Sequence, residues 1–110
     1  MTAEALNQRA RQSTAAGQYA SAITDFDAAI RLKKDFVLAY NGRGFAHYLL
    51  RDFKKAIADF DEAIRLNPAY ANAYKNRANA RQAGDKAGAE ADLAKSAELT
   101  PGSSRPAARK

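Results

Sequence analysis

Three arginines and three aspartates are the first residues whose spacing invites chemistry. Arg9, Arg43 and Arg77 recur every 34 residues, and Asp25, Asp59 and Asp92 recur with them. Two charges that return together once per unit are expected to bridge, because a guanidinium fork matches a carboxylate with two parallel hydrogen bonds. Read as a free basic ladder, the same arginines would hold phosphate or carboxylate ligands. An acid accompanying every arginine favours the bridge, since buried charge is normally paired. His47 is the only histidine and the chain has no cysteine, so no other His or Cys exists to complete a metal or catalytic site with it. Its expected state is a packed or half-buried ring. Asp59, Asp61 and Glu62 crowd one stretch, but i,i+2 neighbours on a helix point to different faces, so a solvated acidic face is expected there rather than a catalytic pair. Gly102-Ser103-Ser104 has no strand before it and no helix after it, and so makes no phosphate loop. The chain is expected to be non-catalytic and to need neither metal nor cofactor.

These charges sit in a phrase that the chain repeats. Ala22-Ile23-x-Asp25-Phe26-Asp27-x-Ala29-Ile30-Arg31-Leu32 returns 34 positions later as Ala56-Ile57-x-Asp59-Phe60-Asp61-x-Ala63-Ile64-Arg65-Leu66. A worn third copy runs from Ala89 to Leu99. Units of this length cannot bury an apolar face alone and must stack on their neighbours. Apolar residues at three- and four-residue steps predict helices over about 3–16, 19–32, 37–50 and 53–66, with a third pair from Ala71 that turns at Gly84-Asp85. Gly17, Lys33-Lys34-Asp35, Arg51-Asp52 and Asn67-Pro68 punctuate them. Gly44 is expected against small residues of the Ala22 and Ala29 type, allowing close helix approach. From Gly102 the chain loses periodicity, and 102–110 is expected to be a disordered basic tail.

Composition limits the function classes. The 110 residues carry a net charge of +6, a mild pull toward acidic partners. Without cysteine there are no disulfides, which fits a reducing compartment. The first residues have neither a basic n-region nor an apolar h-region, so no signal peptide is expected. No apolar run approaches the ~18 residues of a membrane span. A cytoplasmic location is the resulting expectation.

Period and residues together resemble the tetratricopeptide repeat. Its signature asks for a large residue and then a small one in the first helix, Ala, an aromatic and Ala in the second, and a closing Pro. The second unit supplies Tyr40, Gly44, Ala56, Phe60, Ala63 and Pro68. The first supplies Leu6, Ala10, Ala22, Phe26 and Ala29, with Lys34 in place of Pro. The third keeps Tyr74, Ala78, Ala89, Leu93 and Pro101, with Ser96 in place of Ala. The resemblance implies an all-α fold, a right-handed α-solenoid of three helix–turn–helix units and six helices. The repeats would span about 3–36, 37–70 and 71–101 within a domain over 1–101. Glu90 and Ala97 replace Ile23/Ile57 and Ile30/Ile64, which predicts that nothing stacks beyond the third unit.

In the family, the first helix of each repeat lines a concave groove. Carried over, the groove residues include Asn7 and Arg11 from the first unit, and Leu38, Asn41, Phe45, Tyr48 and Leu49 from the second. Asn72, Lys75, Asn76 and Asn79 come from the third. Amide side chains offer donors and acceptors that suit an extended peptide backbone, and Phe45, Tyr48 and Leu49 suit an apolar anchor. The implied function is a protein–protein interaction scaffold with a protein or peptide partner. The family's chaperone-tail adaptors use a carboxylate clamp, whose positions fall here on Asn7, Arg11, Gly42, Asn72 and Asn76. Only Arg11 carries charge there, so clamp-type binding of a chaperone tail is not expected. Two rival readings are a self-associating module (a homo-oligomer) and nucleic-acid binding through Lys75, Arg77, Arg81 and the tail residues Arg105, Arg109 and Lys110. The second lacks the dense basic stripe with stacking aromatics that single strands favour.

Overall fold

Helix boundaries follow from local chemistry at each turn. In the computed structural model, which describes residues 1–100, six helices follow one another. They are α1 (Ala3–Ala15), α2 (Tyr19–Leu32), α3 (Val37–Leu49), α4 (Phe53–Leu66), α5 (Ala71–Arg81) and α6 (Lys86–Glu98). Thr2, Asp52 and Asp85 cap α1, α4 and α6, each side chain accepting from the backbone N–H three residues on. Gly17 takes a left-handed φ of 80° between α1 and α2; at the matching turn Arg51 does so with φ 65°, its guanidinium over the Phe53 ring. At the end of α4, Asn67 Oδ1 accepts from the Ala69 amide and Pro68 prevents continuation. The one residue missing from the third unit is lost between α5 and α6: α5 starts 34 residues after α3, but α6 starts 33 after α4. The expectations for Pro101 and for a disordered tail at 102–110 lie outside the described residues.

Packing is sequential. Each helix lies against the next in the chain, and the first helices also touch across repeats, α1 with α3 and α3 with α5. The result is an elongated all-α helical-repeat solenoid of 50 × 27 × 25 Å. Its core is mostly alanine, with Ala10, Ala22, Ala29, Ala39, Ala46, Ala56, Ala63, Ala73, Ala78 and Ala89 sealed from solvent. Two rings anchor it: Phe26 and Phe60 are the largest fully buried side chains. Removing either ring should cost about 3–5 kcal/mol, the usual range for emptying a core aromatic site.

Gly44 corrects one expectation. It lies against the Phe60 ring and the Asp59 Cβ rather than against alanines; a Cβ there would meet the ring at 2.6 Å. Gly42 does the same for Phe26, where a Cβ would sit 2.5 Å from the ring. The two glycines of α3 therefore seat the two core rings, one from its own repeat and one from the repeat before. In the third unit Leu93 stands where the rings stand and is 40% exposed, so the last helix packs more shallowly.

Candidate functional site

The recurring charges form a ladder that welds the stack. Arg9, Arg43 and Arg77 each hold the aspartate of their own repeat, Asp25, Asp59 and Asp92, in a two-pronged pair at 2.7–3.0 Å. The expected bridge within each repeat is thus present. Sequence reasoning missed the second half of the ladder. Arg43 Nη1 donates to Asp27 and Arg77 Nη1 donates to Asp61, both at 2.8 Å, so each arginine also reaches back to the preceding repeat. Asp61 is exposed, as expected, but also serves as an inter-repeat ligand, and Asp59 is buried, which corrects the reading of a solvated acidic face at Asp59. Tyr40 and Tyr74 lie under Arg43 and Arg77, with ring centroids 5.6 Å from the guanidinium carbons.

Electrostatics follow this pairing. Hydrogen bonds from Arg9 outweigh desolvation and hold the Asp25 carboxyl below its ordinary value. The Arg43 guanidinium is driven further toward its charged form by Asp59, and Arg77 by Asp92. Arg77 and Arg81, two of the three helix cations in the nucleic-acid reading, are taken up by this network. Arg81 Nη1 donates to Asp92 at 3.0 Å, and Arg77 holds Asp92 and Asp61. Lys75 is exposed, and the tail cations lie outside the described residues.

Away from the ladder, a cavity of about 610 Å³ opens across α1, α3 and α5. This is within the range of about 300–1,000 Å³ typical of ligand sites. Of the predicted groove residues, Arg11, Leu38, Asn41, Phe45, Leu49, Asn72 and Asn76 line it. Asn7, Tyr48, Lys75 and Asn79 do not. Lys75 and Asn79 are exposed on α5 outside the cavity. Tyr48 is half-buried against the cluster of Ala56, Phe60 and Ala80, where it stacks Phe45 at 6.2 Å and tilts on Phe53 at 5.7 Å. It is a support for Phe45 rather than part of the lining.

Asn7 departs most from its expected place on the groove surface. It is 5% exposed, and its Oδ1 is buried without a hydrogen-bond partner among the described residues. The repeat explains why. One unit later, Asn41 Oδ1 accepts from Asn76 Nδ2 at 3.1 Å, and the residue 34 positions before Asn76 is Gly42. The first junction has the acceptor but lacks the donor.

Sequence reasoning also missed Tyr19, Phe26 and Tyr70 in the lining. Phe26 belongs to α2, yet its ring reaches the cavity floor because Gly42 puts no side chain between them. A glycine in mid-helix, opposite a core aromatic, was the available signal. Tyr70 precedes α5, and its hydroxyl accepts from Asn41 Nδ2 at 3.4 Å. His47 is half-buried, as expected. Among the described residues no group of His, Cys, Asp or Glu is placed to hold a metal ion. No described helix is long and apolar enough to cross a membrane.

A stack of helix pairs welded by repeated arginine–aspartate bridges, with an amide- and aromatic-lined cavity across its first helices, defines a helical-repeat interaction module. Family comparison gives the same class a name. The tetratricopeptide repeat matches residues 37–70, and a second description of the same unit, TPR repeat, matches residues 11–50. Together these cover more than half of the chain, which belongs to the tetratricopeptide repeat family. The family is generally a non-catalytic interaction fold.

Solved structures agree. The first TPR of Spaghetti (RPAP3), bound to HSP90 peptide SRMEEVD, is 27% identical with a TM-score of 0.88, over 94% of this chain and 82% of that one. The first TPR domain of human RPAP3 gives 27% and 0.89 over the same shares. The translocator chaperone SycD of the Yersinia enterocolitica type III secretion system, at 22% identity and TM-score 0.87 over 93% and 78%, shares the fold. No curated protein matches the sequence.

Proposed function

We propose that this protein binds an extended segment of a partner protein in the cavity across α1, α3 and α5. The observation that carries the reading is the exposure of large apolar side chains inside a cavity whose polar lining includes the amides of Asn41, Asn72 and Asn76. Leu38 is 50% and Phe45 39% exposed there, while the core rings are sealed. Large apolar side chains gathered on one concave surface mark a contact site more often than a bare one. Asn72 and Asn76 supply donors and acceptors for a peptide backbone beside them. The first TPR of Spaghetti, bound to an HSP90 peptide, lends support at the level of a peptide-binding class. The clamp itself does not carry over, because the matching positions offer one cation, Arg11, and a glycine, Gly42.

A comparative pull-down tests this. Wild type, a Leu38→Ala, Phe45→Ala double variant, and a Lys34→Ala variant away from the cavity are used as baits in extract of the native host. The double variant is expected to lose the partners that wild type and Lys34→Ala retain. Equal recovery by all three would sink the groove reading.

A further inference from the structure

We propose that the cavity selects an internal, acidic stretch of polypeptide built around one bulky apolar side chain, with Arg11 reading the acid and the exposed Leu38 and Phe45 receiving the apolar group. This inference rests on the groove reading and specifies its ligand.

Charge is the first ground. Arg11 is the one charged residue in the cavity lining, and no acid lines it. Arg9, Arg43, Arg65, Arg77 and Arg81 all hold carboxylates, whereas Arg11 is exposed and has no acid partner among the described residues. An unpaired cation in a cavity that no acid lines attracts a carboxylate and repels a basic segment, and the net charge of +6 acts in the same direction. A single cation matches a single acidic side chain. It does not match a chain terminus that adds its own carboxylate, because no second cation stands near enough in the lining to share the load.

Shape is the second ground. The cavity is not uniform along the stack. On the side of the third repeat, Asn76, Asn41 and Tyr70 are tied in one chain of hydrogen bonds at 3.1 and 3.4 Å, which uses part of the Asn41 and Asn76 amides within the wall and leaves Asn72 outside the chain. On the side of the first repeat, the Phe26 ring fills the space beside Gly42 and is itself sealed, so the apolar surface open to a ligand there is that of Leu38 and Phe45. Phe45 stands over this end, its ring held by Tyr48. An apolar group entering here meets ring surface already in place, so little side-chain freedom is lost on binding. Arg11 borders the same end, which places acid and anchor close together in the ligand.

Selection from a random-peptide display library, with the segments fused at both ends, tests the assignment. Wild type is expected to enrich Asp or Glu near a Phe, Leu or Met. Arg11→Gln removes a solvent-exposed charge with no internal partner and leaves the fold unchanged. It should abolish the acidic preference, retain the apolar one, and weaken the selected peptides about tenfold, while synthetic amide and free-acid forms bind wild type equally. Apolar enrichment without acid, acidic enrichment that survives Arg11→Gln, or binding only as the free acid would overturn this inference and leave the groove reading standing. No enrichment at all, or enrichment indifferent to Phe45→Ala, would overturn the groove reading and this inference with it.

Discussion

Asn7 and Gly42 show how much a single absent side chain can decide. The junction between the second and third repeats is closed by an amide pair, Asn41 with Asn76. At the first junction glycine replaces the donor, the Phe26 ring takes the space, and Asn7 Oδ1 is left buried and unpaired. An unsatisfied buried acceptor costs about 1–3 kcal/mol, and an apolar side chain of the same shape removes that cost. Asn7→Leu is therefore expected to raise stability by about 1 kcal/mol in a urea titration. A loss of stability would mean that Asn7 has a partner this account does not include. Nothing in the sequence at Asn7 alone announces burial. The residue reads as a groove amide because its counterpart Asn41 is one, and only the glycine 35 positions on distinguishes the two sites.

At the scale of the helices, the arginine ladder separates what was legible from what was not. The bridge within each repeat was readable because arginine and aspartate recur together at one spacing. The link between repeats was not, because Asp27 and Asp61 look solvated when each helix is taken by itself. Only stacking brings the next arginine over them. The middle rung is thus held twice and the first rung once: the Arg43 side chain is 24% exposed and that of Arg9 54%. Breaking a buried pair from one side strands the other charge, which costs up to about 3–5 kcal/mol when burial is complete, whereas exposed pairs contribute about 0–1 kcal/mol. Arg43→Gln should accordingly cost about 2–3 kcal/mol by chemical denaturation, and Arg9→Gln clearly less. Equal costs would show that the reach to Asp27 adds nothing to the stack. Helix limits were legible to within a few residues, since glycine, proline and capping aspartates mark them. The largest shift is in the third unit, where α5 ends at Arg81 and Gln82 and Ala83 fall beyond it.

Across the whole molecule, the two helix sets divide the work. Second helices carry the repeated phrase, and with it the core rings and the acids that weld the stack. First helices supply most of the cavity and its exposed apolar residues. The fold was legible because its signature residues are packing residues, and packing is what a repeat period reports. The cavity was legible in part: Arg11, Leu38, Asn41, Phe45, Leu49, Asn72 and Asn76 meet there, but Phe26 and Tyr70 enter from outside the first helices. The place of Phe26 depends on the glycine at position 42, and that of Tyr70 goes with its hydrogen bond to Asn41; both are properties of two elements at once. The central claim is that binding takes place on the first-helix side. Amide chemical-shift mapping of isotope-labelled protein, titrated with a segment of a partner recovered by wild type and lost by the Leu38→Ala, Phe45→Ala variant, tests it most directly. The account predicts shifts concentrated at Arg11, Asn41, Phe45, Leu49 and Asn76, with Thr24, Ala58 and Glu90 on the second helices unmoved. Shifts concentrated on α2, α4 and α6 instead would contradict it.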